Sequence, residues 1–128
     1  MRMTALAIAM TCYLGPAFAD MKQYTVPMNA TSIIGHAGAF NADCSSMGET
    51  VMRVTTPPQH GTVSVKHGLF HSTFLASNPL SACNAKNLPH ALLSYKPEKG
   101  FIGEDSVSYE IIFPDGRAKD NTVTVTVK

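Results

Sequence analysis

Near its end the chain alternates without a break: residues 121–128 read NTVTVTVK, with Val123, Val125 and Val127 separated by Thr122, Thr124 and Thr126. A period of two sends successive side chains to opposite faces, so this segment predicts a β-strand with one buried and one solvated face. Residues 105–113, DSVSYEIIF, repeat the pattern: Val107, Tyr109, Ile111 and Phe113 share a face against Ser106, Ser108 and Glu110. Pro114-Asp115-Gly116 supplies turn chemistry between them, and an antiparallel hairpin is expected, its connection running through Asp120. Upstream, residues 50–56 (TVMRVTT) and 61–65 (GTVSV) predict strands on either side of Pro57-Pro58-Gln59-His60, where two prolines end ladder pairing. Shorter candidates are 92–95, 22–28 and 31–35. No stretch after residue 19 carries helical periodicity, and about seven or eight short strands with turn residues between them predict an all-β sandwich.

Two segments break this rhythm. Residues 1–19 hold a positive start at Arg2, an apolar run over 4–14, a Gly15-Pro16 break and a small-x-small Ala17-Phe18-Ala19 site before Asp20. That is the layout of a secretory signal peptide cleaved after Ala19, leaving 20–128 as a single domain; the alternative, a retained anchor, needs a longer apolar run of about 20 residues. The short apolar run suits a bacterial product, periplasmic or secreted. Residues 72–90 are the second segment, rich in Asn and Pro and poor in consecutive apolar residues. A connection of this length is commonly functional.

Loss of Arg2 with the leader leaves nine Lys and Arg against nine Asp and Glu. A formally neutral chain lacks the clustered cations that grip nucleic acid or anionic lipid, so neither partner is expected, nor is membrane insertion after cleavage. Neutrality predicts a partner recognised by shape and hydrogen bonds more than by charge. Cys12 leaves with the leader, and Cys44 and Cys83 remain with a single possible pairing, expected as a structural disulfide pinning the 72–90 excursion. A catalytic or metal-binding thiol pair is the alternative, although neither cysteine has a CxxC partner.

The C-terminal residues also carry a resemblance. Thr56-Pro57-Pro58-Gln59-His60-Gly61-Thr62-Val63-Ser64-Val65, then Tyr95-x-Pro97, Gly100-Phe101-x-Gly103-x-Asp105-Ser106-x-x-Tyr109, and finally Asp115-Gly116 with the Val123–Val127 alternation follow in one order. Over residues 54–128 this resembles the "P-x-HGTV" hairpin, "YxP…GFxGxDxxxY" segment and "DG…TVTVTV" ending of bacterial Ig-like and cadherin-like repeat domains. The resemblance implies a seven-stranded Ig-like Greek-key sandwich, and it implies no activity. In this frame Gly61, Gly100 and Gly103 suit turns of unusual φ, Tyr95 and Tyr109 suit core rings, and Asp105 accepts bonds from a turn backbone. The calcium-binding linker motifs of cadherin-type repeats have no counterpart here, and the 72–90 excursion is not part of the usual repeat.

Candidate chemistry is sparse. GxSxG, HExxH and Gly-rich phosphate loops do not occur, so no enzyme and no cofactor are expected. The alternative is a periplasmic copper or zinc site using His60, His67 and His71. On an extended strand His67 and His71 stand about 13 Å apart, and only a turn at Gly68 brings them together. The expected function is a non-enzymatic binding or structural module for a protein partner, with loops on a rigid sandwich as the recognition surface. Within the excursion, Phe70, Phe74 and Leu75 are either an apolar anchor or packing beneath the loop, and Asn78, Asn84 and Asn87 are its polar candidates. A further possibility is assembly through the Val123–Val127 strand or an edge strand.

Overall fold

The computed structural model describes residues 20–128, so the expected signal peptide lies outside the described residues. Seven strands run in the order β1 (Asp20–Val26), β2 (Ser32–Ala37), β3 (Val51–Thr56), β4 (Gly61–His71), β5 (Asn87–Pro97), β6 (Gly103–Ile112) and β7 (Ala118–Val127), with one 3-10 helix, Pro79–Ala85, between β4 and β5. They form a four-stranded sheet, β1-β7-β6-β3, facing a three-stranded sheet, β2-β5-β4. β1 lies parallel to β7, and every other pairing is antiparallel. The fold is an Ig-like Greek-key sandwich, as expected.

The alternation read in β7 builds one wall of the core: Val123, Val125 and Val127 are almost wholly buried. Val107, Tyr109 and Ile111 of β6 continue it, and Ile34, Leu93 and Tyr95 close it from the other sheet. Each such apolar side chain contributes about 1.5–3 kcal/mol by leaving water.

Several expectations change. β7 begins at Ala118, so the β6–β7 connection is the tight 113–117 turn, closed by Gly116 N–H donating to the Phe113 carbonyl at 2.9 Å. β7 lies between β1 and β6 and has no open edge, which removes Val123–Val127 as an assembly edge. The segment expected as a hairpin around Pro57-Pro58 is instead a crossing from one sheet to the other, because β3 pairs with β6 and β4 with β5. The prolines supply no donors there, and the N–H groups of Gln59 and His60 go to the Asp105 carboxylate at 2.9 and 3.0 Å. β4 and β5 are longer than expected and pair from Gly61↔Pro97 to His71↔Asn87, which shortens the non-strand excursion to residues 72–86.

Gly100 and Gly103 take φ of 77° and 141°, as expected of glycine turns. Gly61 needs its lack of a side chain for another reason: a Cβ there would stand 2.6 Å from the Lys96 carbonyl and 2.7 Å from the Tyr95 ring. Both neighbours are held in the sheet and the core. Gly61→Ala is therefore expected to destabilise by about 2 kcal/mol through overpacking, measured by urea unfolding; an unchanged midpoint would show that β5 yields freely.

Candidate functional site

Strand direction sends three connections to one end of the sandwich: β2–β3 (38–50), β4–β5 (72–86) and β6–β7 (113–117). Two of them are joined covalently. Cys44, in a left-handed turn with φ 68°, is bonded to Cys83 of the 3-10 helix across a Cα–Cα distance of 5.5 Å. This is the pairing the cysteine count predicts.

The excursion is built from its own asparagines. The Asn78 side chain caps the 3-10 helix by accepting from Leu80 N–H at 2.9 Å. The Asn84 side-chain amide accepts from the Phe74 N–H (2.9 Å) and donates to the Phe74 carbonyl (2.8 Å), imitating a strand partner. Asn87 opens β5 opposite His71. Of the apolar candidates, Phe74 is half-buried and held by Asn84, whereas Leu75 is 77% exposed at the tip. Phe70 stacks on His71 at 4.5 Å and tilts against His36 at 4.9 Å.

Beneath these loops lies an open cavity of about 580 Å³. Phe40, Phe74 and Phe113 contribute apolar wall, Ser72, Asn78 and Asn121 hydrogen-bonding groups, and Lys22, Arg117 and Lys119 positive charge. Among residues 21–128 no acidic side chain lines it. His36 and His90 stand in the wall with ring centroids 5.6 Å apart. Burial, reinforced by His90, Lys22 and His71, pushes the His36 pKa down to about 4, so at neutral pH this ring is uncharged.

His90 and Ser72 meet at 3.2 Å, and the other ring nitrogen of His90 lies 2.7 Å from the Leu88 carbonyl. With Nδ1–H donating to that carbonyl, Nε2 accepts from the Ser72 hydroxyl. Ser72 and His90 are only 5% and 4% exposed, although both stand in the cavity wall. The bond satisfies two buried polar groups, joining the residue just past the end of β4 to the inner part of β5.

The histidines of the metal alternative stand apart. His67 accompanies the Thr50 carbonyl (3.1 Å) and the Glu49 carboxylate (3.2 Å). β4 runs straight through Gly68, leaving His71 four residues along an extended strand. His60 stacks on Phe101 at 4.4 Å at the opposite end. Among the described residues no group of three or more His, Cys, Asp or Glu is placed to hold a metal ion. A second cavity, about 470 Å³ and mostly apolar, lies between the β2–β3 loop and the His67–Leu69 stretch of β4.

The sequence reading passed over Lys22, Arg117 and Lys119. Part of the signal was present: the inward face of β7 runs Val127, Val125, Val123, Asn121, Lys119, from core to cation. On β1, Val26, Tyr24 and Lys22 do the same, since the two strands are parallel and in register (Lys22↔Val123).

No family model matches this chain, and no curated protein matches it. Among solved structures, a solution structure of amebosin aligns with 85% of this chain and 98% of its own, at 11% identity and a TM-score of 0.45.

Proposed function

We propose that this chain is an exported, non-enzymatic binding module, related to bacterial Ig-like and cadherin-like repeat domains, which holds a protein partner at the loop end of its sandwich. Export rests on the tripartite layout of residues 1–19 and agrees with a disulfide, a bond that persists in oxidising compartments. Among the described residues no helix is long and apolar enough to cross a membrane.

The observation that carries the reading is the construction of that end. Three connections meet over one cavity, two are stapled by Cys44–Cys83, and Leu75 stands 77% exposed on the stapled excursion. Holding loops rigid before binding lowers the ordering cost of association, the general advantage of preorganisation.

A photo-crosslinking amino acid at Leu75, with a control at Ile102, tests this in the producing cell. Ile102 is similarly apolar and 64% exposed, but it lies in the β5–β6 connection at the far end. A discrete protein adduct from position 75 and none from 102 is expected. Adducts from 102 alone, or from neither, would overturn the loop-end assignment. N-terminal sequencing of the same material is expected to begin at Asp20, and a chain starting at Met1 would overturn export.

A further inference from the structure

Histidine is the side chain whose ordinary pKa lies nearest neutrality, and three of the five histidines of this chain gather at the loop end. His36 comes from β2, His71 from the last position of β4 and His90 from β5. They surround a single ring: Phe70 tilts against His36 at 4.9 Å, stacks on His71 at 4.5 Å and meets His90 edge-on at 6.1 Å. His36 and His90 also face each other, with ring centroids 5.6 Å apart.

His90 is where both long connections fasten to the sandwich. Phe40 of the β2–β3 connection packs on its ring at 5.2 Å, and Ser72, the first residue of the β4–β5 connection, bonds to its Nε2 at 3.2 Å. Phe40 is buried and folds back over Gly38, where a Cβ would stand 2.6 Å from its ring. The Cys44–Cys83 bond joins the same two connections, so whatever lifts one lifts the other. A change beside the His90 ring therefore acts on the whole loop end.

A proton on His36 supplies such a change. It sets a cation against the His90 ring, and Lys22 of β1 and His71 of β4 oppose it as well. Lys66, opposite Leu92 as His36 is, adds positive charge two strands away, and Arg117 and Lys119 line the same cavity from the β6–β7 turn and β7. The acids of the surrounding elements are turned elsewhere: Asp43 to Ser45, Glu49 to His67 and Asp115 to Arg117. Asp20 shares the strand face of Lys22 and lies two residues, about 7 Å, further along β1. The closed loop end thus resists the proton, whereas an opened one, with the ring in water, accepts it readily.

We propose that the His36–His90 cluster is an acid-sensitive latch, closed at neutral pH, which on acidification releases the two disulfide-joined connections from the sandwich as a unit. The direction follows from linkage. The closed state holds His36 at about 4 and an open one near 6.5, so closure is complete above about pH 6.5 and is lost as pH falls toward about 4. A shift of that size bounds the change in the open-to-closed ratio at about 300-fold. About tenfold is expected, because the ring is only half-buried and water screens its charge. The latch does not depend on the identity of any partner.

The test is hydrogen exchange, read by mass spectrometry on the purified, disulfide-bonded protein from about pH 7 to about pH 4.5 and corrected for the intrinsic pH dependence of exchange. Residues 38–50 and 72–86 are expected to lose about tenfold in protection while β6 and β7 keep theirs. His36→Phe, a neutral ring of similar size, is expected to hold its protection over the whole range. His60→Phe, at the opposite end, is expected to behave like the parent. Proton NMR of the His36 ring in the parent is expected to give a titration midpoint near 4, and it decides the matter should His36→Phe fail to fold. Unchanged protection in the parent, an equal loss in His36→Phe, a loss shared by β6 and β7, or a ring midpoint near 6.5 would each overturn the latch. A loss that begins only below about pH 4 would also overturn it, since that is the range in which carboxylates take up protons.

Discussion

Replacing both bridging cysteines, Cys44→Ala/Cys83→Ala, is expected to lower stability by about 4 kcal/mol, the chain-entropy cost of reopening a loop of this span. For a domain of this size that corresponds to a fall in melting temperature of about 20 °C. The native side adds to the effect. Cys83 is 1% exposed and is the buried residue of its short helix, so losing the bond frees the whole 72–86 excursion from the sandwich. Differential scanning calorimetry reads the loss. Hydrogen exchange is expected to locate it, rising over residues 38–50 and 72–86 while β6 and β7 keep their protection. A melting temperature within a few degrees of the parent would mean that packing and the Asn84–Phe74 bonds hold the excursion unaided. Under the proposed function the same variant would also bind its partner more weakly, because its loops would have to be ordered at the moment of binding.

The second large effect is expected at Asp105. Its buried carboxylate accepts from Gln59 N–H and His60 N–H, from Ser106 N–H at 2.9 Å and from the Tyr95 hydroxyl at 2.8 Å. One side chain thus ties the β3–β4 crossing and the β5 tyrosine to β6. Asp105→Ala leaves those donors buried without a partner, and hydrogen bonds to a charged acceptor are each worth about 1.5–3 kcal/mol; a net loss of about 3 kcal/mol is expected after some donors find water. Burial alone would raise the Asp105 pKa, but the bonds from Gln59, Tyr95, Ser106 and His60 outweigh it and hold the carboxyl below the usual carboxylate range. The Tyr95 hydroxyl is pushed well above its ordinary value by desolvation first and by the Asp105 bond second, so it stays a donor throughout.

The direction of the pH dependence follows. Because the folded carboxyl titrates lower than the unfolded one, near about 3.9, its stabilisation is complete above that pH and is lost as pH falls through the folded value. Asp105→Asn is therefore expected to be less stable than the parent at neutral pH and to lose less on acidification, so the two stability curves converge below about pH 4. Parallel curves from urea unfolding across that range would refute the linkage. The exposed Asp115 shows a lowered pKa as well, through its bonds to Arg117, and contributes little to the acid limb because solvent screens it.

The role of Asp105 was legible before the structure in part. A turn-capping carboxylate was expected there, yet its contact with Tyr95 depends on two strands from opposite sheets. Pro89 was misleading in a more instructive way. It broke the expected strand at 92, while β5 in fact starts at Asn87. β2 pairs with β5 only as far as Ala91, so β5 is flanked by β4 alone at Pro89, and a strand with one open side tolerates a residue that lacks an N–H. Nothing in the local sequence states how far a neighbouring strand extends.

The sequence by itself determined what depends on near neighbours or on elimination. The period-two runs of β6 and β7 defined their buried faces because alternation is a property of the strand alone. The turn at 114–116 followed from φ preferences, and Cys44–Cys83 followed from the removal of every other pairing. Only the tertiary structure decided which strand lies beside which. The crossing at Pro57-Pro58, the interior place of β7 and the gathering of Lys22, Arg117 and Lys119 at one mouth all depend on register between segments as much as a hundred residues apart. A count of charges sums over positions and so reported neutrality. Sheet pairing sorted those charges in space, because long-range contacts are selected by the burial of the whole core and not by any segment within it.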